Sequence, residues 1–155
     1  SFDGAGAFIG FNSLSDSTLE KMDTVSYASG GTLASGGLAF SVSAITKSLS
    51  TGFAGGSAFS GTHNDGILSE DDFQGTNSAA TVTARATLLD AESNNYKLGT
   101  TFLFEDSANV EYLFVQGGSA GTSDDLVVKL GDGGDELLSG GGPALTFASG
   151  KITLG

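Results

Sequence analysis

The stretch YLFVQGGSAGTSDDLVVKLGDGGDELLSGGG, residues 112–142, decides how the chain is read. Its aromatic and aliphatic start breaks at Gly117 and Gly118, passes through a Gly/Ser/Thr connection and resumes as DLVVKL at 125–130, a strand, loop, strand unit. Just upstream, YKLGTTFLFE (96–105) and VEYLFVQ (110–116) are aromatic-rich strands separated by the short polar loop DSAN (106–109), which is hairpin spacing.

Working outward, ATVTARATLL (80–89) alternates Val82, Ala84, Ala86 and Leu88 against Thr81, Thr83, Arg85 and Thr87, and the period of two predicts a strand. LAFSVSAI (38–45) alternates in the same way, with Leu38, Phe40, Val42 and Ala44 turned to one side. Shorter strands are predicted at 24–27, 144–147 and 151–154, with an entry strand in SFDGAGAFIGF, residues 1–11. The best helix candidate is SLSDSTLEKM (13–22), two turns long, with Asp16 or Ser17 as cap and Glu20 three residues beyond Ser17 as in a capping box. Residues 48–77 show no sustained period, and a long excursion of that kind is commonly functional. The expected fold is a single all-β domain over residues 1–155, a Gly-rich β-sandwich or jelly-roll-like arrangement with little helix.

Composition narrows the partners. With 25 Gly and 1 Pro the chain suits tight β-turns better than a disordered linker. Eighteen acidic against six basic residues give a net charge of −12, which repels nucleic acid and anionic membrane surfaces and favours cations. The absence of Cys excludes disulfides, Cys-ligated zinc and thiol catalysis. No apolar run approaches the roughly 20 residues that span a bilayer, so no membrane insertion is expected. The start at Ser1, with no basic segment leading into an apolar one, suggests a mature chain or a fragment of a larger secreted protein.

The passage from Phe114 to Leu130, Val-Gln-Gly-Gly followed by a Gly/Ser/Thr loop and Asp-Asp-Leu-Val-Val-Lys-Leu, resembles the C-terminal regions of bacterial RTX-type and S-layer-like calcium-binding proteins. The next segment, GDGGDELLSGGG (131–142), is similar to one unit of the RTX nonapeptide, with Gly131 and Gly133 on its glycines, Asp135 on its aspartate and Leu137 on its apolar position. Leu130 stands where the unit has its first Gly, and Ala144 where a second unit would carry Asp. Calcium ions of a β-roll lie between successive turns, so a single unit does not make one. The resemblance implies type I secretion, an extracellular or bacterial cell-surface location and bound Ca²⁺.

Calcium takes roughly six to eight hard oxygens. Asp132, Asp135 and Glu136 can supply carboxylates from a Gly-rich turn, and Asp124 with Asp125 is a further acidic pair at a strand entry. Each has a plainer reading as a solvated acidic turn. GTHNDGILSEDD (61–72) overlays part of an EF-hand-type loop, with Asp65 at its fifth position, Gly66 at the turn, Leu68 and Ser69 following and Asp72 at the twelfth. Its first and third positions are Gly61 and His63, which removes two expected oxygen ligands.

His63 is the only imidazole and has no Gly-x-Ser-x-Gly elbow beside it, so a catalytic triad is not indicated. Carboxylate pairs such as Asp71 and Asp72 lack the Trp that commonly lines a sugar-cleaving cleft. Phe8, Phe11, Phe53 and Phe59 lie near Gly and Ser, where an exposed strand edge could be completed by another subunit, although core packing is the default for each. The expected function is non-enzymatic: an extracellular structural or adhesive subunit that assembles with itself as a surface layer, matrix or fibre, with calcium-stabilised acidic turns. The alternative is a secreted carbohydrate-binding module that contacts polysaccharide through Tyr96, Tyr112 and the Asn/Asp loops.

Overall fold

The computed structural model describes residues 8–25, 38–42, 67–68, 73, 81–92, 98–108, 110–130, 145–148 and 151–154. Its centre is three consecutive antiparallel strands, β5 (Thr101–Glu105), β6 (Glu111–Val115) and β7 (Leu126–Leu130). Phe102 pairs with Phe114 and Phe104 with Tyr112 across β5 and β6, while Tyr112 pairs with Lys129 and Phe114 with Val127 across β6 and β7. Asp106 organises the β5–β6 turn: its carboxylate accepts from the Ala108 and Val110 amides at 2.9 and 3.1 Å, and from the Tyr112 hydroxyl at 3.0 Å. A short polar side chain that bonds its own backbone is the means by which such a loop holds one geometry.

Two further strands join this trio in parallel. The first strand of that pair, β2 (Asp23–Val25), lies along β7, and β4 (Ile67–Leu68) lies along β5, so the sheet runs β2-β7-β6-β5-β4. Ser17, fully buried, ties the entry to β2 onto β7. Its hydroxyl donates to the Val127 carbonyl and accepts from the Asp23 amide at 2.9 Å, while the Val127 amide donates to the Ser17 carbonyl at 2.9 Å. A second sheet has the order β1-β3-β9-β8, built from β1 (Phe8–Phe11), β3 (Leu38–Val42), β8 (Leu145–Ala148) and β9 (Lys151–Leu154).

One face of the five-stranded sheet carries Phe102, Phe104, Tyr112, Phe114 and Val127, and these cluster with Leu68, Phe73, Ala86 and Leu89. Ala86 and Leu89 belong to α1 (Val82–Glu92), which corrects the strand expected over 80–89. The alternation of Val82, Ala84, Ala86 and Leu88 is present, but so is the helical spacing of Val82, Ala86 and Leu89, and three alanines favour the helix. Thr81 starts it, its hydroxyl accepting from the Ala84 amide at 3.2 Å and its carbonyl from the Arg85 amide at 3.0 Å. Arg85 is buried, donates to the Glu105 carbonyl and lies 4.5 Å from the centre of the Phe73 ring.

The helix expected over 13–22 is also corrected, since only Leu14–Asp16 form a single 3-10 turn. Asp16 closes it by accepting from the Asn12 and Ser13 amides at 2.6 and 3.1 Å, and Ser17 is extended because its bonds go to the neighbouring strands instead. The described residues therefore form a sheet-rich fold with one α-helix. Among them no helix is long and apolar enough to cross a membrane.

Candidate functional site: an acidic junction between helix and hairpin

The β6–β7 connection, residues 116–125, begins on the helix side of the sheet. Gln116 has the same parity as Tyr112 and Phe114, so its side chain points to α1, where its Nε2 donates to Asp90 Oδ1 at 2.8 Å. The other oxygen of Asp90 accepts from the Gly121 amide at 2.8 Å. Both Asp90 and Gln116 are buried. Gly121 can present its N–H there because its φ is +95°, a region other residues rarely enter.

Next in the connection come Asp124 and Asp125. Asp125 Oδ1 accepts from the Gly117 amide at 2.7 Å, and Asp124 Oδ2 accepts from the Ser119 amide at 2.9 Å. Asp124 sits so close over Gly117 that a Cβ there would collide with the Asp124 carboxyl group and with its main-chain carbonyl. Asp124 Oδ1 and Asp125 Oδ2 are both buried, and neither has a hydrogen-bond partner among the described residues. An unsatisfied buried carboxylate oxygen is costly, more so than a neutral group.

The electrostatics follow from this crowding. Burial pushes the Asp125 carboxyl up to about 7, the Gly117 N–H opposes that rise, and the charges of Asp90 and Asp124 add to it. Asp90 also lies near the C-terminal end of α1, where the helix dipole disfavours negative charge. Asp90 and Asp124 thus both bear on the buried carboxylate of Asp125.

Of the residues the sequence singled out for calcium, Asp124 and Asp125 come together here. Asp132, Asp135, Glu136, Asp65 and Asp72 lie outside the described residues, as does His63. Leu68, the apolar position of the EF-hand-like loop, is a buried core residue of β4. Among the described residues no group of three or more His, Cys, Asp or Glu side chains forms a metal cage. The junction instead offers two open carboxylate oxygens, backed by Asp90.

Sequence reasoning missed Asp90 and Gln116. The available signal was the helical spacing from Ala86 to Asp90, which puts both on one face once 82–92 is read as a helix. Tyr112 is corrected as a sugar platform, because it is 5% exposed, stacks on Phe104 at 5.4 Å and donates its hydroxyl to Asp106. That bond and burial also raise the Tyr112 hydroxyl well above the usual phenol range, burial contributing most. Phe11 is a buried residue rather than a surface one, and Tyr96, Phe53 and Phe59 lie outside the described residues. Compared with protein-family models, with curated proteins and with solved structures, the chain matches none, so the chemistry of this junction has to be read from its own atoms.

Proposed function

We propose that the chain is a non-catalytic structural or adhesive domain of the extracellular space or bacterial cell surface, which assembles with further copies of itself and uses calcium to neutralise its acidic connections. The single observation that carries this reading is the pair of buried, unpartnered oxygens on Asp124 and Asp125, next to the carboxylate of Asp90. In a chain of net charge −12, that arrangement is what a bound cation would compensate.

Asp125 has no exposed surface, so a bulky substrate cannot reach it, which favours an ion over a glycosidic bond as the object of this carboxylate pair. We further propose that the two sheets pack as a sandwich. The face of the central sheet opposite α1, with Leu103, Leu113, Val115, Leu126 and Val128, is fully buried and needs such a cover.

An ion that binds only the folded chain stabilises it by mass action. Melting in millimolar calcium and again in EGTA, followed by sizing and negative-stain imaging in each condition, tests the reading. Higher thermal stability and larger species are expected in calcium. A monomer whose melting is indifferent to chelation would overturn it, and binding of such a monomer to immobilised glycans would point to a carbohydrate-binding module.

A further inference from the structure

We propose that the junction between α1 and the β6–β7 connection is a divalent-cation site in which Asp124 and Asp125 are the ligands and Asp90, clamped by Gln116 and the Gly121 amide, supplies the charge behind them. This rests on the calcium reading above and gives it a ligand set.

Asp90 has a hydrogen bond to each carboxylate oxygen, so it acts as a positioning residue and a source of charge. Asp124 and Asp125 each keep one oxygen bonded to a main-chain amide and one buried oxygen open. A proton on Asp125 would neutralise one charge but leave Asp124 Oδ1 without a partner. A cation between the two satisfies both oxygens and relieves the repulsion among all three carboxylates.

The donors are all oxygen, which selects a hard ion. A connection that carries Gly117, Gly118 and Gly121 can turn main-chain carbonyls and admit water to fill the remaining positions, which suits the irregular sphere of Ca²⁺ better than the strict octahedron of Mg²⁺. The groups that bear on Asp125 are Asp90 from α1, Asp124 beside it and the Gly117 N–H. The ion then ties the end of the helix to the hairpin.

Calorimetric titration of the whole chain with calcium chloride reads the binding. Saturable binding is expected. Asp124→Asn and Asp125→Asn should each weaken it by about tenfold or more, and Asp90→Asn by about tenfold. Asp16→Asn, whose exposed carboxylate serves only its own turn, should leave it unchanged. In the unaltered protein, calcium should shift the amide resonances of Gly117, Ser119 and Gly121, a readout that needs no variant to fold.

No saturable binding, or binding insensitive to Asp124→Asn and Asp125→Asn with no shift at those amides, overturns the site. Calcium binding here without any larger species would retain the site and defeat self-assembly instead.

Discussion

Burial without a counter-charge makes Asp125 a group whose protonation is linked to folding. Its carboxyl titrates at about 7 in the folded protein against 3.8 as the ordinary value, so between those values the folded chain holds a proton that the unfolded chain has released. The stability tied to this group is full below about 3.8 and is lost as pH rises through about 7, the reverse of what a salt-bridged carboxylate does. Asp16 shows the opposite behaviour, held low mainly by the Ser13 and Asn12 amides, so the informative quantity is the difference between unaltered protein and variant. Thermal melts in EGTA should show Asp125→Asn gaining on the unaltered protein as pH rises from about 4 to about 7, by on the order of a few kcal/mol at most. A difference that does not change with pH would refute the linkage. Gly117 makes a second test at this scale. Gly117→Ala drives a methyl into Asp124 and should cost about 1–3 kcal/mol in denaturant unfolding, whereas Gly118→Ala meets nothing within 4 Å and serves as its control.

At the scale of elements, α1 is where two periodicities compete for the same residues. Thr87 is exposed and its hydroxyl donates back to the Thr83 carbonyl at 2.7 Å, so Thr87→Ala should stabilise the protein by about 0.5 kcal/mol. In a strand the same change would destabilise, since Thr suits a pleated surface and Ala does not, and the sign of the shift in unfolding midpoint separates the two. This ambiguity explains what could be read in advance. Strands β5, β6 and β7 were legible because aromatic alternation and a local turn specify them within thirty residues, from Thr101 to Leu130. Asp124 and Asp125 stood out as an acidic pair at a strand entry. Asp90 did not, because its partners Gln116 and Gly121 lie 26 and 31 residues further on, and only a helix packed on the sheet brings them together. The parallel pairing of β2 with β7 was equally invisible, since an exposed Asp23 and Thr24 give no hint of a partner so distant in sequence.

For the whole molecule, the middle of the central sheet, in β5, β6 and β7, has buried residues on both faces. Phe114 packs in the cluster beneath α1 and Leu113 points the other way, yet both are fully buried. Phe114→Ala should cost about 3–5 kcal/mol and Leu113→Ala about 2–5 kcal/mol in chemical denaturation. A loss under about 1 kcal/mol for Leu113→Ala would mean that the second face is not packed. The bracket that Ser17 forms on Val127 spans 110 residues, and it has a consequence for the order in which the chain can fold. The antiparallel trio needs only local loop closures and can assemble quickly, whereas the docking of β2 closes a loop of 110 residues and is the slower step. During synthesis β2 therefore emerges long before the strand that completes it. Until residues 126–130 arrive, β2 has no ladder to join, and whatever receives the nascent chain must hold that segment unpaired while about a hundred intervening residues follow it.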